Sequence, residues 1–166
     1  MEEKKIEQLV RDVLRAMENG SSGFTGSQPG GVKLSVEDYP LQEKRPELIR
    51  SKTGKRLDEI TLDAVMKGQI GFEDLRIHPD TLEYQAQIAE AAGRPQLAAN
   101  LRRAKELTAV PDEEVLQLYN SLRPYRSSKE ELLGYAERLE KVYGATACAR
   151  LFREAAEVYE RRNMLR

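Results

Sequence analysis

The chain has 166 residues, 40% hydrophobic and 33% charged, with a net charge of −1 and a single cysteine, Cys148. A domain of this length buries roughly 70% of the surface its unfolded chain exposes, so it needs no disulfide or metal staple, and a lone thiol fits a reducing compartment. Balanced charge argues against a nucleic-acid binder. No apolar run approaches a membrane span, and the acidic start with spaced apolar residues is not a signal peptide; a soluble cytosolic protein is expected.

Residues 1–19 predict an amphipathic helix. Ile6, Leu9, Val10, Val13, Leu14 and Met17 draw one stripe at helical spacing. The other face carries Lys4, Glu7, Arg11, Asp12, Arg15 and Glu18. Asn19-Gly20 ends it, and residues 20–34, rich in Gly and Ser, predict a flexible linker. An isolated helix of this length is marginal in water. Its stripe therefore asks for a partner, either within its own assembly or outside it.

A main domain is expected over residues 35–166. Pro40 and Pro46 argue against a continuous helix between Lys33 and Arg56, so an extended segment lying over another surface is predicted there. Leu57, Ile60, Leu62, Val65 and Met66 suggest a short helix stopped at Gly68, with Phe72 and Leu75 as the next apolar anchors. Asp80 is the expected cap of a helix through Leu82, Ala86, Ile88 and Ala89 to Gly93. Pro95 suits the first turn of the next helix, whose stripe reads Leu97, Leu101, Ala104 and Leu107 or Thr108. Asp112 is the expected cap of a third, whose stripe is Val115, Leu118, Tyr119 and Leu122, broken at Arg123-Pro124. Ser128 and Glu131 form a capping box ahead of Leu132, Ala136, Leu139 and Tyr143, and Gly144 closes that helix. The last helix carries Cys148, Leu151, Phe152, Ala155 and Val158 or Tyr159, then ends in arginines that suit a negative helix terminus. The predicted class is all-α: an irregular multi-helix domain behind an extended segment and a tethered helix.

Chemistry is sparse. His78 is the sole histidine and sits before Pro79-Asp80 in a sequence that predicts a turn at a helix start, and no CxxC or HExxH is present, so no metal site is predicted. Cys148 falls on an apolar helix face, where a thiol behaves as a small hydrophobe. Gly54-Lys55 lacks the upstream glycine of a phosphate loop. The carboxylates stand among opposite charges, as on solvated helix faces. No catalytic or cofactor-binding residue is expected. The loop Arg123-Pro124-Tyr125-Arg126 stands out, because Tyr and Arg are enriched at interface hot spots. Arginines that cap nearby carbonyls would explain it as well.

The run Tyr119-Asn120-Ser121-Leu122-Arg123-Pro124-Tyr125-Arg126-Ser127, followed by Lys129-Glu130-Glu131-Leu132-Leu133, resembles the small subunits of adenosylcobalamin-dependent diol and glycerol dehydratases. Asp38-Tyr39-Pro40-Leu41, Thr81 to Glu90, Leu107 to Asp112 and Arg153-Glu154-Ala155-Ala156 are similar to that family in the same order. The resemblance thus runs from about Val36 to the C-terminus.

The resemblance implies a carbon–oxygen lyase assembled as a dimer of three-subunit units. Large and medium subunits hold substrate, metal ion and adenosylcobalamin, and the small subunit packs on the large one without catalytic residues. Interface candidates are Asp38, Tyr39, Leu41, Tyr119, Arg123, Tyr125 and Arg126. The N-terminal extension resembles those of propanediol dehydratases more than glycerol dehydratases, though a glycerol dehydratase small subunit stays open. It also resembles tails that dock enzymes on bacterial microcompartment shell proteins. The expected setting is then the bacterial cytoplasm, inside a microcompartment, with no nucleic-acid or membrane partner. Without the resemblance, the best rival is a non-enzymatic helical adaptor, followed by a helix-turn-helix DNA binder that lacks a basic recognition helix.

Overall fold

The structure, a computed structural model, describes residues 32–166. The Ile6-to-Met17 stripe and nearly all of the Gly/Ser-rich segment lie outside them. Among the described residues the fold is all-α, with two isolated bridges, Arg50 to Arg56 and Ser51 to Ile77, in place of any sheet. Two short helices, α1 (Leu41–Lys44) and α2 (Leu62–Met66), lie in an irregular first part. Five longer ones follow: α3 (Pro79–Ala91), α4 (Pro95–Leu107), α5 (Asp112–Ser121), α6 (Lys129–Tyr143) and α7 (Thr146–Arg161).

Helices α3 and α4 pack as one hairpin and α6 and α7 as another, and α4 also packs on α7. The turns follow from single residues. At the end of α3, Gly93 has φ +70°, a conformation that costs any residue with a Cβ. There the Arg94 N–H donates back to the Ala89 carbonyl at 2.9 Å. Gly144, at φ +63°, does the same work after α6, and the Ala145 N–H reaches the Leu139 carbonyl at 2.9 Å. Ser128 and Glu131 make the predicted capping box: the Glu131 N–H donates to Ser128 Oγ at 3.3 Å, and the Ser128 N–H to Glu131 Oε2 at 2.8 Å.

The main core lies between α5, α6 and α7. Leu132, Ala136 and Leu139 of α6 meet Cys148, Ala149, Phe152 and Ala156 of α7, with Val110 and Leu118 closing one side. The Tyr135 and Phe152 rings pack tilted, their centroids 6.0 Å apart. A smaller core of Ala86, Ala89 and Ala98 lets α3 and α4 approach closely. No side chain of α7 caps its own first turn. Glu106 of α4 does so from a distance, accepting the Ala147 N–H at 2.9 Å and the Cys148 N–H at 2.8 Å. Burial, and after it the neighbouring Glu106 carboxylate, pushes the Cys148 thiol up to about 12. It is a buried residue of the main core.

Several local expectations are corrected. The stretch predicted as extended between Lys33 and Arg56 folds into 3-10 turns at Val36–Asp38 and Pro46–Leu48 around α1, because prolines stop helices without forcing extension. The cap of α3 is His78, not Asp80: its Nδ1 accepts the Asp80 N–H at 3.2 Å, and Pro79 takes the first helical position. Asp112 is the first residue of α5 and spends its carboxylate on Arg76 instead of capping. On α4 the buried position is Ala98, while Leu97 is exposed. Phe72 and Leu75 are exposed as well, and no residue of α2 is buried.

Candidate subunit interface

The chemistry of the α5–α6 loop depends on how tightly its backbone is held. Ser121 Oγ donates to the Leu118 carbonyl at 2.7 Å, and buried Ser127 Oγ donates to the Ser121 carbonyl at 3.0 Å. Tyr159 of α7 donates its hydroxyl to the Leu122 carbonyl at 2.5 Å. The chain's last residues then pair with the loop: the Tyr125 N–H donates to the Met164 carbonyl at 2.8 Å, and the Arg166 N–H to the Ser127 carbonyl at 3.0 Å. Arg166 also pairs with Glu131 at 2.8 Å. Tyr125 itself sits at φ +64°, in the left-handed region that a tyrosine enters only when its surroundings hold it there.

The side chains on this fixed loop point outward. Tyr119, Arg123, Tyr125 and Arg126 are all exposed. Among the described residues, neither Arg123 nor Arg126 makes a side-chain hydrogen bond or ion pair, whereas most other arginines here do. The carbonyls nearby are taken by Ser121, Ser127 and Tyr159. Of the two explanations left open by residue type, arginines as caps therefore loses its support.

The opening segment is built differently. Leu34 is buried, and its N–H donates to Gln87 of α3 at 3.1 Å. Asp38 accepts the Ser35 N–H at 2.8 Å and pairs with Arg45 at 3.2 Å. The Ser35 N–H first, and Arg45 with it, hold its carboxyl below the usual range. Leu41 is buried within the chain. Asp38 and Leu41 thus shape the segment from inside, and Tyr39, 69% exposed, is the side chain it presents outward. No hydrogen bond or ion pair joins this segment to the α5–α6 loop among the described residues.

A third surface was not anticipated. Residues 57–77 expose Leu57, Leu62, Val65, Met66, Phe72, Leu75 and Ile77, and only Ile70 is buried. Arg76 anchors this arm. It makes a two-pronged pair with Asp112, one contact at 2.9 Å, and its guanidinium carbon lies 5.3 Å from the Phe72 ring centre. Its Nε lies 3.0 Å from Glu73 but is too poorly angled to donate, and is left buried without a partner. The sequence carried a signal for the arm, nine large apolar residues with little periodicity. It could not say whether they faced an internal core or another chain.

No group of three His, Cys, Asp or Glu residues suited to a metal is present among the described residues. The clefts along Lys52, Arg76 and Asp112, and along Arg126, Glu131 and Arg166, are open and lined by charges. What the described part offers is a helical body with outward aromatic, aliphatic and arginine side chains, the makeup of a protein that docks onto others.

The comparisons make the class specific. The family model for the dehydratase small subunit matches residues 34–166, and the chain belongs to that family. It is 48% identical over 165 residues to a propanediol dehydratase small subunit of Salmonella typhimurium, covering 97% of this chain and 95% of the relative. It is 46% identical over 164 residues to a propanediol dehydratase small subunit of Citrobacter freundii, with the same coverages. Membership implies larger partner subunits. The helical-adaptor and DNA-binder readings give way to it.

Proposed function

We propose that this chain is the small subunit of an adenosylcobalamin-dependent propanediol dehydratase, and that it supports assembly by packing on the large subunit without supplying a catalytic residue. The carrying observation is 46–48% identity, along nearly the whole chain, to propanediol dehydratase small subunits. The cofactor, bound by the other subunits, supplies the radical chemistry that turns a 1,2-diol into an aldehyde. This chain contributes fixed surface: Tyr39, Tyr119, Arg123, Tyr125 and Arg126 are the outward candidates, and Asp38 and Leu41 hold Tyr39 in place. The open, charged clefts and the inert Cys148 support a role without chemistry.

The N-terminal segment belongs to the same proposal. A match to 97% of the chain leaves out only a handful of residues, so it reaches well into the stretch before residue 34 that the family model omits. That supports a shared extension, whose Ile6, Leu9, Val10, Val13, Leu14 and Met17 stripe docks the enzyme on a microcompartment shell. Removing residues 1–31 is expected to abolish shell association and leave diol turnover intact; unchanged association sinks this part.

The main test is co-expression of the tagged chain with large and medium dehydratase subunits. The purified material is then assayed for aldehyde from 1,2-propanediol and from glycerol with added adenosylcobalamin. A three-component complex, active only with the cofactor and faster on propanediol, is expected. Faster turnover of glycerol would assign the chain to a glycerol dehydratase, and a chain that purifies without a large partner would remove the reading.

A further inference from the structure

We propose that the arm of residues 57–77 and the outward face of α5 form one continuous docking surface, and that the large subunit covers it. This rests on the assembly reading above and adds where the contact lies.

The arm is apolar where it should not be in a free-standing protein. Met66 is 80% exposed, Leu62 79%, Phe72 72% and Leu75 56%. Such side chains scattered singly on a surface are ordinary, but four within the fourteen positions from Leu62 to Leu75 form a patch, which marks an interaction site. The arm is nevertheless held in one shape. Thr61 accepts the Ala64 N–H at 3.2 Å, Lys55 donates to the Gln69 carbonyl at 3.3 Å, and Thr53 donates to Asp74 at 2.6 Å. The Lys52 N–H donates to the Arg76 carbonyl at 2.7 Å, and Arg76 grips Asp112. Polar contacts thus fix the backbone while apolar side chains stay uncovered. A segment preorganised in this way loses little conformational freedom when a partner covers it.

Arg76 also makes the surface continuous. Asp112 opens α5, and Leu116 and Tyr119 follow at four and seven residues, on the same face of the helix, with Arg123 just past its end. Leu118 is buried, and Val115 and Leu122 pack on the core from the adjoining face. Leu116 is 68% exposed and Tyr119 71%. The apolar surface therefore runs from the arm, across the Arg76–Asp112 pair, along α5 to the Arg123–Arg126 loop.

Charge and size select the occupant. Charges on the arm are already paired within the chain: Arg56 with Asp58, Lys67 with Asp63 at 2.6 Å, Arg76 with Asp112 and Glu73. Little on the arm is left to attract a charged ligand, so the surface that fits the arm is apolar, and unpaired charge enters only at the Arg123–Arg126 end. One side of a standard protein interface takes roughly 20–30 residues, and permanent interfaces are the more hydrophobic ones. The arm and the α5 face reach that size, which a transient or peptide-sized partner would not fill. A permanent larger subunit does.

The test is thiol footprinting of the full chain. Met66→Cys, at the arm, and Leu116→Cys, on α5, each add one accessible thiol, and Val142→Cys, exposed on α6, is the reference. Native Cys148 is buried and stays silent. In the co-purified complex, alkylation at the first two positions is expected to slow about tenfold or more relative to the chain alone, as for side chains in an interface core. Equal rates free and in complex overturn the docking surface while leaving the assembly reading standing. Failure of the wild-type chain to co-purify strikes the assembly reading itself. Protection already present in the chain alone also overturns the proposal: if it rises with concentration the occupant is a second copy, and if it vanishes on removing residues 1–31 it is the chain's own N-terminal segment. As a second measurement, L62D/M66D is expected to lose co-purification with an unchanged helical spectrum, since neither side chain is buried.

Discussion

Leu132 and Leu139 expose no surface at all and sit where α5, α6 and α7 meet. Truncating either to alanine removes apolar contacts and leaves a cavity that neighbours fill only in part, at a cost of about 2–5 kcal/mol. Urea unfolding of Leu139→Ala should show a correspondingly lower midpoint; a loss below about 1 kcal/mol would mean that the core collapses around the gap. Glu114 tests a different force. It bonds Arg138 at 3.0 Å and Tyr143 at 2.5 Å, and the Arg138 guanidinium, against opposing desolvation, holds its carboxyl below the usual range. A group with a depressed folded pKa stabilises the protein above its unfolded value and loses that contribution as pH falls through the folded one. Stability should therefore fall on acidification below roughly pH 5, the ordinary carboxylate region. Glu114→Gln, which cannot ionise, should start less stable and flatten that fall. Superimposable pH profiles for the two proteins would show that the triad contributes nothing.

Helix ends separate what sequence can tell from what it cannot. Gly134 lies within α6 and Gly144 just past its end, and both have open space around an added methyl, but only Gly144 has positive φ. Gly144→Ala should cost about 1–2 kcal/mol through backbone strain, and Gly134→Ala should gain about 0.5–1 kcal/mol, since alanine loses less entropy within a helix. Opposite shifts in melting temperature check both at once. The Ser128–Glu131 box, the Gly93 and Gly144 stops and Pro95 at a helix start were legible because each rests on chemistry within a few residues. His78 displaced Asp80 as a cap because an imidazole acceptor competes with a carboxylate by position alone. The long-range cap from Glu106, and Asp112's turn toward Arg76, depend on residues far apart in sequence that no local pattern joins. For the same reason the apolar residues from Leu62 to Leu75 could be counted but not oriented. Hydrophobic spacing records that a side chain prefers cover, not which chain provides it.

At the scale of the whole molecule, the distribution of fixed and uncovered parts suits a subunit. The α6–α7 half holds the larger core, whereas the first half is stitched by hydrogen bonds and ion pairs and leaves much of its apolar surface open. The α5–α6 loop lies between these regimes: its backbone is held by Ser127, Tyr159 and Met164, and its arginines are left outward. If those arginines meet carboxylates or carbonyls of the large subunit, the double variant R123A/R126A should weaken assembly by about tenfold or more, as truncation of interface hot spots does. Fold stability should hardly change, because neither guanidinium has an internal partner among the described residues. Turnover per assembled complex should also be preserved, since the chain supplies surface and not chemistry. Replacing both by lysine separates two mechanisms. Full recovery of assembly means that charge alone is read, whereas partial recovery means that the planar, five-donor fork of arginine is required. Sedimentation of the co-expressed subunits across a concentration series measures the first effect, and aldehyde formation normalised to complex measures the second. A double variant that assembles normally would take the loop out of the interface and leave the arm and the α5 face to carry it. A variant that assembles poorly and also turns over slowly once assembled would mean that this loop reaches the active site of its partner.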